Sequence, residues 1–267
     1  MIKLPEIPQD KFKEEIVQFI KRIASEARVE GIVIGLSGGI DSTVVAYLLT
    51  EAIGPENVFA YHLSSSTTPL EDTEHAQLVA KLLKIQYQEI GIDEIAKKFL
   101  ELSYIKTDET NVVKIAEGNL KARIRMSLLY YFANMKNCLV AGTGNRSELL
   151  IGYFTKYGDG ACDFEPIGNI YKTQLRKLAK KWNIPKEIIT KPPRAGLWIN
   201  QKDEEEIGLS YDILDQLLYL MIDKKLSDED IIKEINISPE EINMIRARVS
   251  NNQHKLQFPP SPSINKK

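Results

Sequence analysis

Gly31-Ile-Val-Ile-Gly35-Leu36-Ser37-Gly38-Gly39-Ile40-Asp41-Ser42 is the stretch that decides the fold. Gly31 to Gly35 reads as a short buried strand. The glycines after it predict a tight turn, and a helix follows from Thr43 to Ile53, stopped by Gly54-Pro55. In an open parallel sheet, ligands sit beyond the carboxyl ends of strands, where such a turn lies. Glycine lets backbone N–H groups come close to an anion, and the helix N-terminus adds partial positive charge. Ser37 and Ser42 bring hydroxyl donors. Asp41 is a poor phosphate neighbour unless a cation lies between them, which points to Mg2+. The plainer alternative is a strand-to-helix turn in which Asp or Ser caps the helix. Two other phosphate motifs fail here. A Walker A loop needs Gly-Lys-Ser/Thr where this chain has Ile40-Asp41-Ser42, and GxGxxG does not fit.

Outward from this turn, strands and helices alternate. A helix over 11–28 places Phe12, Ile16, Phe19, Ile20, Ile23 and Ala27 at three- and four-residue spacings. Strands are predicted at 58–63, 85–90 and 138–142, and helices at 71–83, 92–102, 116–136 and 146–151. Residues 64–69 read as a polar loop and 103–114 as polar and irregular. This alternation implies βαβ units, hence an α/β fold with a parallel sheet and helices on both faces. From about residue 170 the pattern turns helical: 172–182, then 210–223, 227–236 and 238–251, with 194–208 as a surface loop. The expectation is one domain over 1–258 with a helical C-terminal extension, and a flexible tail over 259–267 carrying Pro259, Pro260 and Pro262.

The 267 residues carry 35 Lys and Arg against 37 Asp and Glu, a net charge of −2. That balance weighs against a general nucleic-acid binder, which usually has a basic excess. Cys138 and Cys162 cannot make a disulfide framework, and with three histidines and no CxxC a structural zinc site is not expected. No apolar run is long enough to span a membrane, and the amino terminus lacks the apolar core of a signal peptide. The expected setting is the cytoplasm.

A second dense stretch follows the strand at 138–142: Gly142-Thr-Gly-Asn-Arg-Ser-Glu148, then Thr155-Lys-Tyr-Gly-Asp-Gly-Ala-Cys-Asp163 and Pro166-Ile-Gly-Asn-Ile-Tyr-Lys172-Thr-Gln-Leu175. Such a concentration of glycine and charge is unusual for a plain connector. Glu148 starts a helix at the sheet edge, where it would meet a metal held by Asp41. Gly142-Thr-Gly144-Asn-Arg-Ser147 also approximates a dinucleotide fingerprint, but Ser147 replaces the third glycine and the strand is the fourth, so an oxidoreductase reading is weak. Read singly, Arg123, Lys172 and His254 are ordinary solvated residues, and Asp163 is a turn cap.

Ser37-Gly-Gly-Ile-Asp-Ser42 resembles the pyrophosphate loop of the N-type ATP pyrophosphatases. TKYGDGACD, KTQL, Asn119-Leu-Lys-Ala-Arg-Ile-Arg125 and Pro192-Pro-Arg-Ala-Gly-Leu-Trp198 narrow the resemblance to the ammonia-dependent NAD synthetases, over nearly all of residues 10–258. The resemblance implies a Rossmann-like, adenine nucleotide alpha-hydrolase-like sheet. It implies that Gly35, Leu36, Ser37, Gly38, Gly39, Ile40, Asp41 and Ser42, with Thr143 and Lys172, hold ATP. Asp41 and Glu148 would bind Mg2+. Arg123, Lys156, Asp163, His254 and Lys255 would hold deamido-NAD, with Asp163 and Lys172 in catalytic roles. It also implies a homodimer with the dinucleotide across the subunit interface. Family members commonly carry Ser or Thr where this chain has Arg194; the alternatives for Arg194 are a phosphate contact or a solvated loop position.

The implied reaction activates the nicotinate carboxylate by adenylation, expelling pyrophosphate, and ammonia then displaces AMP to give NAD. The length leaves no room for a glutaminase domain, and Met1-Ile2-Lys3 offers no N-terminal nucleophile, so free ammonia is the expected nitrogen donor. A tRNA-modifying relative would share SGGxDS but carry catalytic cysteines or a basic extension. A non-catalytic nucleotide sensor would tolerate loss of Glu148 or Asp163, and both are present. Segments 64–70 and 194–208 are expected to order over bound nucleotide.

Overall fold

The computed structural model describes residues 4–102, 111–194, 196–198 and 201–262. Four parallel strands form one sheet: β1 (Gly31–Gly35), β2 (Val58–Ser64), β3 (Gln86–Gly91) and β4 (Cys138–Ala141), in the order β3-β2-β1-β4. Ile34 of β1 pairs with Ala60 of β2 on one side and Ala141 of β4 on the other. The order runs outward in opposite directions from β1 and β4. The switch point, where the loops diverge to leave a crevice, therefore lies between these two strands.

Side-chain alternation along β1 feeds two cores. Ile32 and Ile34 pack with α1 (Gln9–Ala27), α2 (Ile40–Ile53), α7 (Lys172–Lys181) and α8 (Lys186–Thr190). Val33, with Tyr61 and Val140, faces α4 (Asp93–Leu102) and α5 (Asn111–Met135). Helices thus cover both faces, as the alternation implied. α2 is apolar almost all round, with nine buried residues, because it is enclosed between the sheet, α1 and α3 (Leu70–Leu83).

A third core gathers the helical C-terminal region: α10 (Tyr211–Leu218), α11 (Asp228–Glu234) and α12 (Pro239–Asn252) around Leu214, Ile231, Ile242 and Ile245. Ile151 of α6 (Arg146–Ile151) and Tyr171 join it, tying this region to the sheet edge. Ser238 and Glu241 form a reciprocal cap at the start of α12.

Some boundaries differ from the sequence reading. α2 starts at Ile40, three residues early, because Gly39 in extended backbone already serves as its N-cap. Residues 111–114 begin α5 instead of belonging to an irregular stretch; 103–110 fall outside the described residues. The expected loop 194–208 contains a helical turn, α9 (Asp203–Ile207), ended by Gly208 at positive φ. Residues 258–262 hold no helix or strand, and the rest of the tail lies outside the described residues. Among the described residues no helix is long and apolar enough to cross a membrane, and both cysteines are free thiols.

Candidate active site

A cleft of about 910 Å3 opens at the carboxyl ends of β1 and β4. Its first wall is the Ser37–Ser42 turn. Ser42 is buried, donates to the Gly39 carbonyl at 3.2 Å and accepts from the Ser37 backbone N–H at 3.2 Å. Gly38 has φ +77°, and a Cβ there would stand 2.0 Å from the carbonyl oxygen of Asp72. Only glycine fits that corner. His62 holds the turn from beneath. Its Nδ1 donates to the Leu36 carbonyl, an obligate acceptor, at 2.8 Å, and its Nε2 pairs with the Thr73 hydroxyl at 3.0 Å.

The second wall is the loop after β4. Gly142 packs so tightly that a Cβ would lie 2.4 Å from the Glu165 carboxyl carbon. Asn145 is fully buried, caps α6 by accepting from the Glu148 N–H at 3.1 Å, and donates to Asp41 Oδ1 at 2.8 Å. α6 and α7 then present Glu148 and Lys172. Lys172 Nζ donates to Asp41 Oδ2 at 2.5 Å and to Glu148 Oε1 at 3.1 Å. The Tyr211 hydroxyl donates to Glu148 at 3.3 Å, and its ring lies 5.3 Å from the lysine ammonium. Burial pushes the Glu148 carboxyl up; Lys172 pulls it down while Asp41 and Asp203 push further, leaving it at about 7. Burial alone would lower the Lys172 pKa, but Asp41 and Glu148 raise it above the usual lysine value. This lysine stays charged.

A strap closes the third side. Lys191 donates to the Gly38 carbonyl and to Asp72 Oδ1, both at 2.6 Å. Arg194 donates to Glu71 and to Asp72, both at 2.9 Å. The Thr67 hydroxyl reaches the Gly196 carbonyl at 3.4 Å, and Leu197 packs on Gly118 of α5. Arg194 is therefore not a solvated loop residue: it lines the cleft and pins the strap to the start of α3.

Among the sequence-predicted residues, Gly35, Leu36, Ser37, Gly39, Ile40, Asp41, Ser42, Thr143, Glu148, Lys172 and Lys255 line the cleft. Gly38 supports the turn from behind. Arg123, Lys156 and His254 form a separate group on the rim: Arg123 donates to the Lys156 carbonyl at 3.3 Å, and Lys156 to the His254 carbonyl at 2.8 Å. Lys255 donates to the carbonyls of Gly152 and Phe154, which joins that group to the cleft. Asp163 does not line the cleft. It is exposed beside α5 and accepts from the Val140 N–H at 2.7 Å and the Tyr130 hydroxyl at 3.3 Å. The carboxylate of this segment that faces the cleft is Asp159. Sequence reasoning counted Asp159 among the charges of this run but gave no role to Asp159, Asn145 or Tyr211; the Gly158-Asp159-Gly160 triplet was the available signal.

The family described as NAD synthase matches residues 12–259. The chain belongs to that family. The NH(3)-dependent NAD(+) synthetase of Methanocaldococcus jannaschii is 50% identical over 250 residues, covering 94% of this chain and 95% of that protein. The NH3-dependent NAD synthetase of Campylobacter jejuni, solved with a nitrate ion, superposes with a TM-score of 0.80 at 33% identity, covering 96% of this chain and 100% of that one. The NMN synthetase of Francisella tularensis gives 0.84 at 32% identity, covering 97% and 100%.

Proposed function

We propose that this chain is an ATP-dependent ligase that amidates deamido-NAD with ammonia, giving NAD, AMP and pyrophosphate. The observation that carries the reading is the Asp41–Lys172–Glu148 cluster, set at the switch point beside the Ser37–Ser42 turn in a member of the NAD synthase family.

The chemistry follows from the charges. The nicotinate carboxylate is a poor acceptor for ammonia, because oxide would have to leave. Its oxygen attacks the α-phosphorus of ATP and pyrophosphate departs; ammonia then attacks the acyl carbon and AMP departs. The protein positions the reactants and neutralises charge. The turn and the N-terminus of α2 hold the phosphates, Thr143 contacts ATP, and Lys172 offsets negative charge on the α-phosphate. Asp41 and Glu148 are hard oxygen donors and suit Mg2+, which takes one or two carboxylates and fills its shell with phosphate and water. The ion would supply charge neutralisation at the departing pyrophosphate.

Ammonia enters as ammonium or loses a proton after attack. Asp159, which faces the cleft, fits that proton-accepting role better than Asp163. Asp163 keeps the expected deamido-NAD role with the rim group Arg123, Lys156, His254 and Lys255. Arg123, Lys156, Asp163 and His254 lie outside the cleft and Lys255 lines it, an arrangement that suits a dinucleotide reaching from the cleft towards a second subunit. A homodimer is supported by Ile95, Phe99 and Leu102, which expose one apolar face of α4 at helical spacing. The expected setting remains the cytoplasm.

The test is release of AMP and pyrophosphate by the purified chain. Release that needs both deamido-NAD and ammonia, with glutamine unable to replace ammonia, is expected. Equal turnover with the deamidated mononucleotide, or release independent of ammonia, would overturn the reading.

A further inference from the structure

Asp215 of α10 is fully buried, carries a carboxylate, and touches neither the turn nor the cleft. Burying such a group is costly unless its oxygens are satisfied. They are, by three donors from two other helices. The Ser147 hydroxyl donates to Oδ1 at 2.5 Å. The Thr173 N–H and hydroxyl donate to Oδ2 at 2.8 and 2.7 Å. Ser147 in turn accepts from the Lys172 N–H at 2.9 Å. Asp215 thus terminates the first two N–H groups of α7, one directly and one through a hydroxyl.

The partners are adjacent in sequence to the reacting cluster. Ser147 precedes Glu148, and Thr173 follows Lys172. Four residues before Asp215 on the same helix stands Tyr211, which donates to Glu148 and lies against the Lys172 ammonium. Residues at that spacing share one helix face. One face of α10 therefore grips both α6 and α7 where they meet.

We propose that Asp215 is a positioning residue for the amidation, fixing the N-terminal turns of α6 and α7 so that Glu148 and Lys172 converge on Asp41. The helical C-terminal region then serves the chemistry as a brace. This inference rests on the assignment of Lys172 to the reacting phosphate.

Two variants test it. Asp215→Asn keeps the volume but turns one accepting oxygen into a donor facing donors. Thr173→Val removes a single hydroxyl bond and preserves the fold if Asp215→Asn does not. Kinetics are measured well below the lowest melting temperature, where all variants are folded. The expected result is a kcat lowered ~100-fold for Asp215→Asn and ~10-fold for Thr173→Val, with KM for deamido-NAD unchanged. A residue that only stabilises the fold would lower the melting temperature and leave kcat intact. Because the brace acts through Lys172, Lys172→Met combined with Thr173→Val should be no slower than Lys172→Met alone. Wild-type kcat in folded Thr173→Val, or losses that multiply in the double variant, would overturn the proposal. Wild-type turnover by Lys172→Met would instead bring down the site assignment beneath it.

Discussion

Lys172 Nζ stands 2.5 Å from Asp41 Oδ2, joining the start of α7 to the start of α2 across 131 residues of chain. The same ammonium reaches Glu148, so one cation holds two carboxylates that would otherwise repel. Lys172→Met removes that cation. Turnover should fall ~100- to 1,000-fold, the usual loss for one preorganised charge stabiliser. Stability should fall by about 1–3 kcal/mol. That is less than for a fully buried pair, because the two carboxylate side chains keep 19% and 17% of their exposure. Steady-state kinetics and urea unfolding check both parts.

Gly38 is the backbone hinge of the phosphate turn. Gly38→Ala introduces a methyl into the Asp72 carbonyl and forces an L-residue to φ +77°. The turn must shift, and with it the Lys191 bond to the Gly38 carbonyl. A loss of about 2–4 kcal/mol in stability and a KM for ATP raised ~10-fold or more are expected. An unchanged melting temperature would show that the turn yields freely.

The partners of Arg194 state its role. It bonds Glu71 and Asp72 on α3, while Lys191 holds Asp72 independently. Arg194→Ala should therefore cost no more than ~1 kcal/mol, since Glu71 is exposed and the pair is screened. KM for ATP should move less than ~3-fold. A rise beyond ~10-fold would mean that the guanidinium transfers to phosphate when ATP binds.

The fold was legible where local signals agree with burial. The β1 turn, the alternation up to β4 and the amphipathic α1 all emerged from spacing alone. α9 did not, because Asp203-Glu204-Glu205-Glu206 reads as a solvated loop; Asp203 and Ile207 are nonetheless buried beneath it. The candidate site was legible as a set of residue types, but not as a geometry. Nothing in the sequence says that Asn145 reaches back to Asp41, or that Asp159 rather than Asp163 faces the cleft. Those contacts depend on how β4 sits beside β1, which is a tertiary fact.

Glu165 offers a pH-dependent test of the loop that carries Thr143. Its carboxyl accepts from the Gly144 N–H at 3.0 Å and lies against Gly142 and Gly144. Burial pushes its pKa to about 7; bonds from Cys162 and Gly144 lower it, while Glu148 and Asp159 raise it. The ordinary value is 4.5. Between these two values the folded chain binds more protons at this site than the unfolded chain, so the contribution of Glu165 to stability is largest below about pH 4.5, falls as the pH rises to about 7, and is constant above. Glu165→Gln removes that dependence without removing the acceptor. Relative to wild type, its unfolding free energy should therefore rise by on the order of 1–3 kcal/mol from about pH 5 to about pH 8. Urea midpoints measured in parallel for the two chains give this difference directly, since most other titrating groups are common to both. A difference that stays flat across the range would mean that Glu165 is ionised at neutral pH, with the Gly144 N–H and the Cys162 thiol sufficient to hold its charge.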